Sequence, residues 1–365
     1  MRSQPLHSSV KEIRLITIEP NREYTAPIHA GIRSVPLNEL PPSTALSYSW
    51  GKSGKKKRIA IGHSHLRITK SLLQALRRLR NKKILVLWID QICINQKDEE
   101  EKQYQIKLMK LIFRRADVVI AWIGQEDPAG HIAELFKITD ESDSWDGAIE
   151  LRLSKRLDHQ VSVLLEREYW MRVWIIQELA MGKEVLVQCG RHQVRWTTLS
   201  VVIKGSMFRR RYYEGDLPPQ FSCVDALAQM SQRTQQPSLV EAICRTIVSQ
   251  STVDKDKVYG LLGLVNDAEL LVPDIKYTKN YEAEDLCLEL TLGIIGAQHR
   301  LSVVPLLGRG CDHASVHSGN SVSSGEPIDS VNPRTPRRPS WVPLWHALDG
   351  RQLKRQISYL IPGAS

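Results

Sequence analysis

The sequence lacks the features that would place the chain in a membrane or in an oxidising compartment. Its longest apolar runs, such as ILVLWI at 84–89, are far shorter than the roughly 20 residues that a transmembrane helix needs. The N-terminus, MRSQPLHSSVKEIRL, has no hydrophobic core of the kind that a secretory signal requires. The six cysteines lie far apart and form no CxxC pair, which is typical of reduced thiols. We therefore predict a cytoplasmic protein with no membrane partner.

Sequence motifs for common catalytic and metal sites are also missing. GKS at 51–53 suggests a phosphate-binding loop, but that pattern needs a glycine at position 46, where Leu46 stands. The chain has no GxGxxG after a strand, no GxSxG and no HExxH. His63 and His65 have no acidic or cysteine partner at a metal-ligand spacing, which favours a surface pair. The sequence therefore predicts no metal site and no resident cofactor.

Aromatic residues make up only 6% of the chain, and this scarcity bears on the formal charge of +10. A basic protein is a candidate for nucleic-acid binding. Here, however, the basic residues form short separate runs, and no recognisable nucleic-acid-binding motif accompanies them. These runs are KKKR at 55–58, RRLRNKK at 77–83 and RRR at 209–211. The pattern favours solvated loops and helix ends, and makes a nucleic-acid partner unlikely.

The clearest pattern that is present lies between residues 83 and 124. KILVLWID at 83–90 is almost wholly apolar, as is typical of a strand covered on both faces. The acidic residues at 98–101 open a helix, where the helix dipole favours negative charge. DVVIAWIG at 117–124 is a second buried strand. Strand, helix and strand in this order form a βαβ unit, so the two strands should be parallel. The sequence predicts an α/β fold.

Weaker patterns extend the prediction along the chain. Thr69 should cap a helix whose leucines share one face. Other strands and hairpins are expected at 12–18, 44–50, 58–69 and 184–196, the last turning at Gly190. Helices are expected at 131–140, 147–168, 169–181, 221–231, 238–249, 256–263 and 281–298.

These patterns divide the chain of 365 residues into four parts. We predict an α/β domain over 1–196 and a mainly helical region over 197–307, packed on it. Residues 308–338 are rich in Ser, Gly, Asn and Pro, which predicts a disordered insert. Residues 339–365 regain apolar character at PSWVPLWHAL and should dock back onto the body.

The first candidate site follows the apolar strand that ends at Asp90. In parallel sheets, ligands bind beyond the carboxyl ends of the strands. Asp90 stands at that position, and Gln91, Asn95 and Gln96 follow in the same loop. These side chains are candidates for ligand binding. The alternative is structural, because Asp90 and Asn95 have the chemistry to hold a loop and cap the next helix.

The second candidate site is EYWMRVWIIQELAMG at 168–182. If this segment is one helix, Trp170, Trp174 and Gln177 share a face, and Glu178 follows Trp174 by one turn. Buried polar groups near tryptophans need partners. The spacing alone favours a helix docked by its tryptophans, with Glu178 bound to an arginine such as Arg172 or Arg167.

Three segments together resemble the fungal heterokaryon incompatibility (HET) domain family. They are TALSYSWG at 44–51, LWIDQICINQKDEEEKQYQIKLMKLIFRRADVVIAWIG at 87–124, and YWMRVWIIQELAMGKEVLVQCG at 169–190. They occur in the order and spacing of the family, whose domain would cover about residues 40–182. Two later segments, at 254–265 and 338–345, are similar to stretches that often follow this domain.

The resemblance implies a role in fungal non-self recognition, in which fusion of incompatible cells leads to growth arrest or programmed cell death. It also implies distant kinship to Toll/interleukin-1 receptor domains, and hence a flavodoxin-like parallel sheet flanked by helices. One departure is Ile175, which stands where the family commonly has threonine or serine.

Two functions follow as hypotheses. The first, which we favour, is a signalling module that acts through protein partners or self-association. The second, implied by NAD-hydrolysing relatives, is a nucleotide-cleaving enzyme with NAD as substrate. Glu178 would be the catalytic residue, stabilising an oxocarbenium ion or holding a ribose hydroxyl, with Asp90 on the ribose and a tryptophan on the base. The candidate binding residues are Trp50, Gly51, Asp90, Gln91, Asn95, Gln96, Arg172, Trp174 and Gln177.

Overall fold

A computed structural model describes most of the chain before residue 299. The described residues are 5–51, 56–80, 83–141, 157–213, 218–231, 236–272 and 274–298. The predicted insert at 308–338 and the predicted docking segment at 339–365 lie outside these ranges.

Nine strands of the described residues form one mixed sheet. They are β1 (Glu12–Ile18), β2 (His29–Pro36), β3 (Thr44–Tyr48), β4 (Lys56–Ile61), β5 (Ser64–Thr69), β6 (Leu85–Trp88), β7 (Val118–Gly124), β8 (Val185–Cys189) and β9 (His192–Arg195). Their order across the sheet is β5-β4-β2-β1-β6-β3-β7-β8-β9. The predicted α/β class is confirmed.

The centre of the sheet is parallel and its flanks are mixed. Strand β3 pairs in parallel with β6 on one side and with β7 on the other, and β7 pairs in parallel with β8. The strands that were expected to be parallel, β6 and β7, therefore are parallel, with β3 between them. Strand β1 runs antiparallel to β6, and hairpins close both flanks of the sheet.

Helices connect and flank these strands. They are α1 (Lys70–Leu79), α2 (Asp90–Cys93), α3 (Glu99–Arg115), α4 (His131–Glu141), α5 (Asp158–Leu165), α6 (Trp174–Ala180), α7 (Trp196–Tyr213), α8 (Pro219–Ser231), α9 (Leu239–Arg245), α10 (Asp256–Tyr259), α11 (Ala268–Leu271) and α12 (Ala283–Gln298). The expected cap at Thr69 is confirmed, and Asp98, one of the acidic residues expected to open α3, caps that helix. The Thr69 hydroxyl accepts from the Leu72 N–H at 3.3 Å, and Asp98 accepts from the Glu101 N–H at 3.0 Å.

Three details of the predicted elements were wrong. The segment between the expected strands at 12–18 and 44–50, for which no strand was predicted, contains β2, whose residues 30–36 pair with β1. The apolar strand ends at Trp88, and Asp90 opens the short helix α2. The expected helix over 169–181 is broken: a 3₁₀ turn spans Glu168–Met171, and α6 begins only at Trp174.

Successive side chains of the central strands point to opposite faces of the sheet. The core therefore has two layers, one on each face. On one face, Ala45 and Trp88 join a large cluster that extends from Ile13 to Ile294. On the other face, Leu46 and Leu87 join a smaller cluster that includes the leucines of α1. None of the helices in the described ranges combines the length and the apolar character needed to cross a bilayer.

Candidate functional site

The carboxyl ends of β3 and β6 meet at one edge of the sheet because these two strands are parallel and adjacent. Beyond β3 the chain continues to Trp50, and beyond β6 it continues to Asp90. The Trp50 indole N–H donates to Asp90 Oδ2 at 2.9 Å, which joins the two ends directly. Trp50 is 36% exposed, so this edge is open to solvent on that side.

Asp90 is held from several directions. Its Oδ1 accepts from the Gln91 backbone N–H at 2.6 Å, while Gln96 Nε2 donates to its carbonyl oxygen at 3.0 Å. Burial raises the pKa of the Asp90 carboxyl, and the positive charge of Arg172 and the hydrogen bond from Trp50 oppose that increase.

Gln91 links this loop to the neighbouring hairpin. Its Oε1 accepts from the Tyr48 hydroxyl at 3.3 Å and from the Thr69 backbone N–H at 3.2 Å. The Gln91 side chain therefore ties the end of β3 and the start of α1 to the loop that begins at Asp90. Gln91 therefore has a structural role, because protein donors already occupy its side-chain oxygen.

Glu178 lies on α6 beneath the same edge and is only 4% exposed. The Ser47 hydroxyl donates to its Oε2, and Ser47 is also within 2.7 Å of the Tyr169 hydroxyl. Burial raises the pKa of Glu178 to about 7, with Arg172 and the Ser47 hydrogen bond opposing the increase and the charge of Asp90 adding to it.

Arg172 connects the two carboxylates. Its guanidinium donates to the Tyr48 carbonyl oxygen, and its charge acts on both Asp90 and Glu178. The hydroxyl of Ser47, rather than an arginine, is therefore the hydrogen-bond donor to Glu178. Arg172 stabilises both ionised carboxylates through space.

Two candidate residues point away from this edge. The Trp174 indole N–H donates to Asp256 Oδ2 at 3.0 Å, and Gln177 Oε1 accepts from the Gly263 backbone N–H at 3.1 Å. Both partners lie far along the chain, in the segment that follows α9. Trp174 and Gln177 therefore anchor α6 to the helical region rather than face Asp90.

The last candidates belong to loops. Asn95 accepts from the Lys97 N–H at 3.3 Å through its side chain and donates its own N–H to Glu101 at 2.7 Å. Gly51 is exposed and adopts a φ of +75°, a conformation that glycine tolerates best. Neither of the Asn95 hydrogen bonds involves the carboxylate of Asp90 or that of Glu178.

Three site residues escaped the sequence argument, namely Ser47, Tyr48 and Tyr169. Ser47 interrupts the apolar positions of a buried strand, and that hydroxyl among aliphatic side chains was an available signal. The partner of Tyr169, by contrast, lies 122 residues away in sequence, and local spacing does not show it.

The carboxylates of Asp90 and Glu178 are held by protein donors, and the described cavity does not reach them. No group of three or more His, Cys, Asp or Glu side chains within the described ranges has metal-binding geometry. A cavity of about 260 Å³ lies elsewhere, between Lys110, Arg114, Met181 and Met230. None of the candidate residues lines it.

Comparisons with known proteins agree with the motifs. Residues 44–178 match the family described as "Heterokaryon incompatibility protein (HET)". The chain is 27% identical over 421 residues to a Neurospora crassa protein named "Heterokaryon incompatibility protein 6, OR allele". That alignment covers 96% of this chain but only 60% of the relative. No solved structure gives a significant match.

Proposed function

Because residues 44–178 belong to the heterokaryon incompatibility (HET) family, we propose that the chain is a signalling module of fungal non-self recognition. Its output would be growth arrest or programmed cell death. The observation that carries the proposal is the family match over the segment that contains Ser47, Asp90, Arg172 and Glu178. The Neurospora relative, which is named for the same process, supports it.

We further propose that the domain is flavodoxin-like and akin to Toll/interleukin-1 receptor domains. The support is the order of the central strands. Numbered by their place in the chain, the parallel strands β6, β3, β7 and β8 run second, first, third and fourth across the sheet. That is the beginning of the flavodoxin order, in which ligands bind where the order reverses. The reversal here lies between β3 and β7, so Trp50 follows a strand that borders it, whereas Asp90 follows β6 on the other side of β3.

The module would act in the cytoplasm through protein partners or through self-association, with no resident cofactor. The polar cluster, defined as Ser47, Asp90, Tyr169, Arg172 and Glu178, would fix the shape of the edge that the partner contacts. Its two carboxylates share one arginine, so a ligand that altered either charge would also alter the other.

Inducible overproduction of the chain in a fungal host tests the proposed function. We expect growth to stop after induction, because a death-signalling module at high concentration assembles without its trigger. The control is Trp170→Ala, which removes a fully buried side chain and should cost about 3–5 kcal/mol of stability. Cells that produce the control should grow normally. Normal growth with the wild-type chain, at a level verified by immunoblot, would contradict the proposal.

A second candidate function is cleavage of NAD or a related nucleotide. The observation in its favour is the raised pKa of Glu178, about 7, beside Asp90 and the exposed Trp50. Catalytic carboxyls often have raised pKa values of this kind. Against it stands the burial of Glu178, whose carboxyl would have to become accessible to substrate.

Nicotinamide release from NAD tests this alternative. If ionised Glu178 stabilises a cationic transition state, release should rise between pH 6 and 8, because the carboxyl loses its proton near pH 7. Glu178→Gln should abolish both the activity and its pH dependence, whereas Glu184→Gln, at an exposed position, should change neither. Equal release from wild type and Glu178→Gln would exclude this role.

A further inference from the structure

The positive charge of the chain is concentrated in one stretch. Between Leu40 and Ile89 the sequence contains twelve lysines and arginines and no aspartate or glutamate. The whole chain carries a formal charge of +10, so the residues outside this stretch are net negative. An excess of this kind creates a local field that attracts anionic partners.

Some of these cations have structural roles. Arg80 donates to the carbonyl oxygens of Glu23, Tyr24, Ala26 and Pro27, and so holds the β1–β2 connection. The guanidinium of Arg78 stacks over the Tyr24 ring at 4.4 Å. Among the described residues of this stretch, the exposed positive charges lie mainly on the hairpin of β4 and β5.

The hairpin brings its cations together on one face. Arg58 lies directly opposite Arg67 in the register, and Lys56, on the same strand face as Arg58, is also exposed. Within the ranges that the structure describes, none of these three side chains has a carboxylate at ion-pair distance. Like charges directly opposite each other destabilise a sheet, so this pairing has a cost without an evident structural gain.

The backbone of β5 is also available for pairing. Strand β5 is the last strand on its side of the sheet. The Ala60 N–H donates to the carbonyl oxygen of Ile28, the residue before β2, at 2.9 Å, and so points away from β5. Ala60 and His65 therefore form a non-hydrogen-bonded pair, and so do Arg58 and Arg67 two residues further on. The N–H and C=O groups of His65 and Arg67 therefore point outward, away from β4.

We propose that β5 is a docking strand that accepts an extended acidic segment of a partner protein. The segment would pair with the outward backbone groups of His65 and Arg67, as in other cases of strand addition. Its carboxylates would lie over Arg58 and Arg67 and relieve their mutual repulsion. The arginines also repel a second copy of this hairpin, which prevents pairing of identical edges.

The chemistry of the hairpin favours a peptide over other polyanions. Surfaces that bind single-stranded nucleic acid combine positive charge with aromatic side chains for stacking, and neither β4 nor β5 contains an aromatic ring apart from His65. A lipid surface would use the charges but not the outward backbone groups. The docking strand rests on the proposed signalling function. It adds the chemistry of the protein partner on which that function depends.

Fluorescence polarisation with a short labelled peptide of alternating glutamate and threonine tests the docking strand. We expect the full chain to bind this peptide. The double variant Arg58→Glu with Arg67→Glu should weaken binding at least about tenfold, since like charges then oppose it. The control variant Arg211→Glu with Lys279→Glu makes the same charge change at exposed positions outside the hairpin and should bind as the wild type does.

A peptide with the same charges but with an N-methyl group on every residue separates strand pairing from general attraction. It cannot donate the backbone hydrogen bonds, so we expect binding at least about tenfold weaker. Equal binding of both peptides, equal binding by the double variant, or no binding at all would overturn the proposal. So would tighter binding of polyuridine RNA or phosphatidylserine vesicles through the same arginines. Growth arrest is measured separately, so failure of the docking strand and failure of the signalling function are distinguishable.

Discussion

Replacing Glu178 with glutamine is expected to remove much of the pH dependence of folding stability between pH 5 and 8. Burial raises the pKa of Glu178 to about 7, above its value in the unfolded chain. A raised pKa means that the folded state holds the proton more tightly than the unfolded chain does. The contribution of Glu178 to folding stability is therefore full at low pH and is lost as the pH rises through 7. The loss attributable to Glu178 is about 3 kcal/mol.

Urea denaturation at pH 5 and at pH 8 measures this effect. Glutamine is neutral at both values and keeps an oxygen that accepts from Ser47, so the variant should exceed the wild type in stability at pH 8 but not at pH 5. Burial also raises the pKa values of Asp90 and Asp256, so these carboxyls act on stability in the same direction as Glu178. The exposed variant Glu184→Gln should behave as the wild type. An unchanged difference between the two pH values in Glu178→Gln would refute the assignment.

Replacing Asp256 with alanine is expected to destabilise the protein by about 3 kcal/mol. Asp256 accepts from the Trp174 indole at 3.0 Å and from the Tyr277 hydroxyl at 2.5 Å. Alanine leaves both donors without an acceptor in a largely buried place, and hydrogen bonds to charged groups contribute about 1.5–3 kcal/mol each.

Urea denaturation of Asp256→Ala, Asp256→Asn and Asp274→Ala checks this prediction. Asparagine keeps one acceptor oxygen, so its loss should be clearly smaller than that of alanine. Asp274 is exposed and pairs with Lys107 on the surface, so its removal should cost less than about 1 kcal/mol. Equal stability of Asp256→Ala and Asp256→Asn would contradict the stabilising role of these two hydrogen bonds.

The central strands were predictable because their sequences carry a strong local signal. The apolar runs that form β6 and β7 are buried among layers on both faces, and burial on both faces leaves no polar alternation. The parallel orientation of β6 and β7 followed from the connection between them. The position of Asp90 beyond β6 followed in turn, because a charged residue ends the apolar run there.

The segment around Arg172 was not predictable from periodicity. Its apolar spacing fits a continuous helix, yet Arg172 forms a bridge with Gln250, and the Val173 N–H donates to the Gln250 carbonyl at 3.0 Å. This tertiary contact holds the chain extended between the 3₁₀ turn and α6. Contacts between residues so far apart leave no mark in a local window, and they decide which way Trp174 and Gln177 point.

Strand β1 lies before the family-matched residues, yet it pairs with β6, the strand that leads to Asp90. Ile16 pairs with Leu87 and Ile18 with Leu85. Gene exchange that moved residues 44–178 alone between two relatives would join β6 of one protein to β1 of the other. Mismatched side chains between β1 and β6 would displace the loop after β6. A functional chimaera therefore has to inherit residues 12–18 together with the domain.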